Sequence, residues 1–214
     1  MIKLENHVVF GWEAAIRGMR NPMNSWDKSD SEWMLDLNPV SERGAWFQVG
    51  DNDLALMKKL VNAGSDHSKF MRMINVTVDV TAPLYWWKEF DTYKVGTVAN
   101  SCSTMHKITA KPFTLDDFSH EHLAPACVDH LISTIGVLNI YRSIHTECKS
   151  KSSWWQIIQL LPSSYNQRRT VQLNYAVLRN IYHARRNHKL TEWHTFCDFI
   201  KQLPYSELIT GEET

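Results

Sequence analysis

A chain of 214 residues and 24.9 kDa, with 23 basic against 23 acidic side chains and a pI near 7.1, has the length of one domain and enough residues to bury a core. Hydrophobic residues at 43% and charged residues at 21% exclude wholesale disorder, and zero formal charge removes the electrostatic case for a dedicated nucleic-acid binder. No apolar run approaches the ~20 residues that span a bilayer, and the opening Met-Ile-Lys-Leu-Glu-Asn lacks a secretory pattern, so a soluble, cytoplasmic protein without a membrane partner is expected.

Residues 1–50 are weakly periodic and rich in Asn, Ser, Asp, Gly and Trp, which points to short elements joined by ordered loops. A helix is expected from Asp51, as N-cap, to Ala63, with Leu54, Met57 and Val61 on one stripe and Gly64 as its stop. From Ile74 to Thr81 the sequence alternates strictly: Ile74, Val76, Val78 and Val80 on one face, Asn75, Thr77, Asp79 and Thr81 on the other. This is the clearest strand, with one face for a core and one for water, a ligand or a partner subunit. Pro83 ends it, and the aromatic run Leu84–Phe90 reads as helical before a polar stretch, Asp91–Lys107, that has the composition of a site loop.

Further helices are expected over Val128–Ile144, Trp154–Leu161, Val171–Arg186 and Thr191–Gln202. The whole, residues 1–214, reads as a single α+β domain with more helix than strand, the helices packed on a small mixed or antiparallel sheet.

Four cysteines, Cys102, Cys127, Cys148 and Cys197, are scattered with no C-x-x-C pair, so reduced thiols are expected. Nine tryptophans are the compositional oddity; each is first a source of buried area, and secondarily a ring for stacking on a flat heterocycle. His120, His122, Cys127 and His130 do not fall at a zinc-knuckle spacing, and no metal is expected. The arginines Arg168, Arg169, Arg179, Arg185 and Arg186, placed on a loop after Pro162 and on the following helix, suit phosphates and pyrimidine carbonyls because guanidinium forks offer paired, permanently charged donors. Solvated surface arginines would look the same. Thr97, Asn100, Ser101, Ser103 and Thr104 beside Lys94 add hydroxyl and amide groups fit for an anion or for a hydrogen-bonded turn. No nucleophile with a visible base and no phosphate-binding glycine loop occurs.

The block Leu161-Pro-Ser-Ser-Tyr-Asn-Gln-Arg-Arg-Thr-Val-Gln-Leu-Asn-Tyr-Ala-Val-Leu-Arg-Asn-Ile-Tyr-His-Ala-Arg-Arg186 resembles the C-terminal block of flavin-dependent thymidylate synthases, with Pro162, Arg168, Asn174, Leu178 and Arg185 at the family's intervals without a gap. Upstream, Leu60-Val-Asn-Ala-Gly64 followed by His67 and the alternating strand resembles the family's helix, Gly-His turn and core strand. The signature Arg-His-Arg-x-x-Ser-x-Asn-Glu-x-Ser-x-Arg has its counterpart in Tyr93–Met105, where Asn100 and Ser103 survive and Tyr93-Lys94-Val95 replaces Arg-His-Arg.

The resemblance, which covers roughly residues 50–200, implies a divergent thymidylate synthase-like protein that binds a pyrimidine nucleotide such as dUMP. Ser103, Arg168, Arg185 and Lys94 would be the nucleotide-binding residues, and Arg185 the catalytic one, polarising a base carbonyl. Asn100, His67 and Asn174 would be cofactor-binding. It further implies a methyltransferase of nucleotide biosynthesis that moves a one-carbon unit to C5 of dUMP, with FAD as cofactor, NADPH and methylenetetrahydrofolate as co-substrates, and sites formed between the subunits of a homotetramer. The loss of Arg-His-Arg favours an alternative, a non-catalytic nucleotide sensor or sequestering protein on the same scaffold.

Overall fold

The computed structural model describes residues 2–35 and 45–211, so residues 36–44 of the weakly periodic N-terminal stretch lie outside the described residues. The elements in chain order are β1 (Lys3–Phe10), α1 (Trp12–Arg20), β2 (Glu32–Leu35), β3 (Ala45–Gln48), α2 (Asp51–Asn62), β4 (Asn75–Pro83), α3 (Leu84–Phe90), β5 (Val98–Ser101), α4 (Pro125–Cys148), α5 (Lys151–Leu160), β6 (Asn166–Asn174), α6 (Tyr175–Arg185), α7 (Thr191–Lys201) and α8 (Glu207–Thr210), with short 3-10 turns between some of them.

The alternating segment is β4, one of the two inner strands of an antiparallel four-stranded sheet in the order β1-β4-β6-β5. Val76, Val78 and Val80 are buried, while Asn75, Thr77, Asp79 and Thr81 stay half-exposed on the open face. Each fully buried valine contributes roughly 1.5–3 kcal/mol by leaving water. The buried face meets an aromatic core in which Trp86 of α3 packs between Phe90, Trp193 and Phe196, with ring centroids 5.1, 4.7 and 5.7 Å away. Four of the nine tryptophans, Trp12, Trp86, Trp87 and Trp193, are core residues. A second core of Phe113, Phe118, Leu131, Ile135, Leu138 and Ile157 joins α4 and α5 to the loop before them.

Three expectations need correction. The helix expected over Val171–Arg186 begins only at Tyr175. Residues 166–174 pair with β4 on one side and β5 on the other, so Arg168 and Arg169 stand on a strand and not on a loop. Leu173, Val177 and Ile181 lie four apart and mimic a continuous helix, but Asn174 has extended dihedrals and caps α6, its Oδ1 accepting from the Val177 N–H at 3.1 Å. Asp51 is the first residue of α2 and not its cap. The N-cap is Gly50, and the N–H groups of Asn52 and Asp53 are taken at 2.8 and 3.0 Å by the carboxylate of Asp30. A Cβ on residue 50 would sit 2.2 Å from Cγ of Asp30, which explains the glycine. The N-terminal stretch, opaque in sequence, supplies an edge strand, a helix and a hairpin. Its Arg20 forms a buried ion pair at 2.6 Å with Asp53 of α2, completed by the Ser29 and Ser31 hydroxyls on Asp53.

Candidate functional site

Alternation along β6 sends neighbouring arginines to opposite faces of the sheet. Arg168 lies on the open face, where its Nη2 donates to Oδ2 of Asp79 at 2.6 Å. Asp79 also accepts from Asn6 at 3.0 Å and from the Thr170 hydroxyl at 2.5 Å. These hydrogen bonds, from Asn6 first and then Thr170 and Arg168, hold its carboxyl well below the usual carboxylate range. Arg169 turns inward, its guanidinium 4.2 Å from the ring centre of Trp87 and 2.8 Å from Asp91. Arg179 donates to the Leu208 carbonyl at 3.2 Å, a tie to the C-terminal helix.

Ser103 and Arg168 line one cleft of about 330 Å3 beside the open face of the sheet. Lys3, Lys107 and Lys111 line it too, so four basic side chains face two carboxylates, Asp116 and Asp117. Lys111 binds Asp117 at 2.6 Å. Burial pushes the Asp117 carboxyl up, but the bonds from Lys111 and Thr114 outweigh it and keep the group ionised below its ordinary value. The Ser103 hydroxyl accepts from the His106 N–H at 3.1 Å, which leaves its own O–H able to donate into the cleft. A concavity of this size with a positive excess and a hydroxyl donor suits a phosphate or a small anionic ligand.

Arg185 is elsewhere. At the end of α6, on the helical side of the sheet, its Nη1 donates to Oε2 of Glu89 at 2.8 Å and its Nε to Oη of Tyr93 at 2.9 Å, with the Trp193 ring centre 5.0 Å from the guanidinium carbon. Within one chain, therefore, Arg185 does not reach the cleft of Ser103 and Arg168. Lys94 stands exposed in the turn before β5. Asn100, on β5, pairs with Thr170 and shares the open face with Arg168. His67 is exposed in the turn after α2, and Asn174 lies at the opposite end of β6 from Arg168, where its side chain caps α6.

Of the histidine and cysteine group, His120 bonds the Phe118 carbonyl at 2.8 Å and His122 the Thr191 hydroxyl at 3.2 Å. Among the described residues no three His, Cys, Asp or Glu side chains gather as a metal site. Sequence reasoning missed Lys3, Lys107 and Lys111 as cleft residues. Lys107 and Lys111 sit four apart beside the polar stretch and were legible as a cationic pair, whereas Lys3 reaches the cleft only because Lys3 pairs with Thr81 across β1 and β4.

Fold and cleft together define an α+β protein with an open antiparallel sheet and an anion-suited cleft at its exposed face. Two crystal structures of flavin dependent thymidylate synthase ThyX from Helicobacter pylori, both with FAD and dUMP, share this fold with a TM-score of 0.66 at 14% identity, over 99% of this chain and 97% and 96% of theirs. The chain therefore has the flavin-dependent thymidylate synthase fold. No protein-family model matches it, and no curated protein matches it in sequence.

Proposed function

We propose that this chain binds a pyrimidine nucleotide such as dUMP on a ThyX-like scaffold, as a divergent member of that family. The observation that carries the proposal is the meeting of Ser103 and Arg168 in one cation-rich cleft, on a fold whose solved examples hold dUMP. The phosphate would take hydrogen bonds from the Ser103 hydroxyl and the Arg168 fork, with Lys3 and Lys107 adding charge. Arg185, too far round the molecule to join them in one protomer, would complete the site of a neighbouring subunit and polarise the base carbonyl there.

Assembly has a candidate surface. Ile132, Gly136, Ile140 and Ile144 recur every four residues on α4; the three isoleucines are 50%, 60% and 39% exposed, and Gly136 has open space beside it. An apolar stripe with a glycine at its centre lets another helix approach closely. We assign it to the contact between protomers.

The chemistry that the fold implies is one-carbon transfer to C5 of dUMP, in which FAD would supply the hydride, with NADPH and methylenetetrahydrofolate as co-substrates. The residues present fit the nucleotide better than they fit the flavin. The Tyr93 hydroxyl oxygen accepts from Arg185, Asn174 spends its carbonyl oxygen on α6, and Lys94 is the one cation left where the family carries Arg-His-Arg. These residues therefore support no catalytic step through FAD, and the same observation favours a second reading, nucleotide capture without turnover. Absorbance separates them. A yellow preparation with an oxidised-flavin spectrum supports the enzyme; a colourless one stabilised by dUMP and not by FAD supports the binder. Absence of stabilisation by any pyrimidine nucleotide would refute both.

A further inference from the structure

Another cavity, of about 330 Å3, opens between α1, the turn Trp26–Lys28 and the β2–β3 hairpin, and shares no lining residue with the Ser103–Arg168 cleft. Three rings wall it: Trp26, Trp33 and Phe47. Trp26 is 50% and Trp33 59% exposed, an unusual place for such large side chains. Core packing does not account for them.

Each ring is held on its own terms. The Trp26 indole N–H donates to Oδ1 of Asn21 at 2.8 Å, and Arg20 clamps the turn that carries it, Nη1 and Nη2 donating to the carbonyls of Ser25 and Lys28 at 3.1 and 2.9 Å. The Trp33 indole N–H donates to Oε2 of Glu13 at 3.3 Å, and the ring meets Phe47 edge to face at 5.5 Å and 76°. Two walls thus stand nearly at right angles, and the third comes from a separate element. Rings fixed in this way lose little freedom when a ligand arrives. Among the described residues no lysine or arginine stands over any of the three, although such stacking occurs at Trp87, Tyr93, Tyr182 and Trp193.

Charge selects the occupant. Two arginines line the cavity, and each is answered by a carboxylate. Arg20 gives its Nε to Asp53 at 2.6 Å, so its charge is offset from behind. Arg17 lies 3.9 Å from Oε1 of Glu13 with its side chain 66% exposed, a loose surface pair that offsets one carboxylate. Glu32 on β2 is the remaining charged residue of the lining, which leaves the balance at one negative charge. A monocation fits that balance, and an anion does not.

Hydrogen bonding selects the kind of cation. A primary ammonium brings three donors. The ring faces offer them no lone pair, and the Ser31 hydroxyl already donates to Asp53 at 2.6 Å and accepts from the Gly50 N–H at 2.9 Å. A quaternary ammonium has no N–H to satisfy, and its methyl groups rest on aromatic faces, attracted by the ring quadrupoles. We propose that this cavity binds a small molecule with a trimethylammonium head, caged by Trp26, Trp33 and Phe47 and balanced by Glu32.

The test is calorimetry of the full chain with choline and, separately, with 3,3-dimethylbutan-1-ol, in which carbon replaces the charged nitrogen. Choline should saturate one site per chain, and the neutral alcohol should bind about tenfold or more weakly. Trp26→Leu and Trp33→Leu keep apolar bulk without the ring, and each should weaken choline by about the same factor, whereas Trp33→Phe should keep most of the affinity. Both tryptophans are at least half exposed, so circular dichroism and the melting midpoint of these variants should match the parent. Glu32→Gln should weaken choline and Arg17→Gln should tighten it, both effects fading as salt is added. Arg168→Ala should bind choline as the parent does, which separates failure of this cavity from failure of the nucleotide cleft. If choline does not saturate, if the neutral alcohol binds as tightly, or if both leucine variants keep the parent affinity, the cavity is not such a site.

Discussion

The guanidinium of Arg185 and the carboxylate of Glu89 are joined at 2.8 Å, and the same Oε2 of Glu89 also takes the Trp193 indole N–H at 3.3 Å and lies 3.2 Å from Nε2 of His188. Arg185 is thus fixed before any ligand arrives, by a carboxylate on one nitrogen, a phenol on another and a ring beneath. A donor fork held this way loses little freedom on binding. Arg185→Ala is expected to weaken dUMP binding by about 1–3 kcal/mol, the scale of losing a charged hydrogen-bond partner. Calorimetry checks it, and unchanged affinity removes Arg185 from the site.

The buried pair that ties the N-terminal stretch to α2, Arg20 with Asp53, should govern stability. Burial pushes the Asp53 carboxyl up, and the hydrogen bonds from Ser29, Ser31 and Arg20 more than offset it, so the group sits below its ordinary value. Replacing Arg20 with Ala leaves that carboxylate buried without its cation, at a cost of about 3–5 kcal/mol. Ser31→Ala removes one hydrogen bond of several and should cost about 1 kcal/mol. Chemical denaturation of the two variants measures both; equal, small losses would mean that Asp53 is hydrated.

Acid should act through Asp79. Its folded value is depressed by Asn6, Thr170 and Arg168, so its contribution is complete above the unfolded carboxylate value of about 3.9 and is lost as the pH falls from there through the folded value. In Asp79→Asn that contribution is absent at every pH. The stability gap between parent and variant should therefore be constant near neutrality and close only below about pH 4. A gap that closes between pH 5 and 7 would implicate a histidine instead.

The stripe on α4 carries the assembly proposal. Ile140→Asp places a charge beside Gly136 within the stripe, where a second helix would bury it, and should shift the protein toward monomer in sedimentation without loss of helical circular dichroism. A parent that sediments as a monomer at micromolar concentration contradicts the assignment of this face.

How much of this the sequence disclosed depends on where the pattern was local. β4 was legible because Val76, Val78 and Val80 alternate with polar residues, and α3 because Pro83 punctuates an aromatic run. β6 was hidden by its own neighbours: Leu173, Val177 and Ile181 hold a helical spacing across a strand–helix junction, and Arg169 breaks the apolar alternation although it packs its guanidinium on Trp87. The N-terminal third gave little, because its organising contacts, Arg20 with Asp53 and Asp30 with the start of α2, join residues more than 20 positions apart. The residues of the candidate site divide in the same way. Ser103 and Arg168 share a cleft that pairing of β4 with β6 creates, whereas the ungapped register that aligned Arg168 with Arg185 carried no information on which face of the sheet each would take.

Thermal unfolding with a panel of nucleotides, with and without FAD, tests the central claim most directly. dUMP should raise the melting midpoint of the parent, uridine lacking the phosphate should raise it less, and Arg168→Ala and Ser103→Ala should each diminish the rise. Identical midpoints with and without every pyrimidine nucleotide, at concentrations up to millimolar, would contradict it.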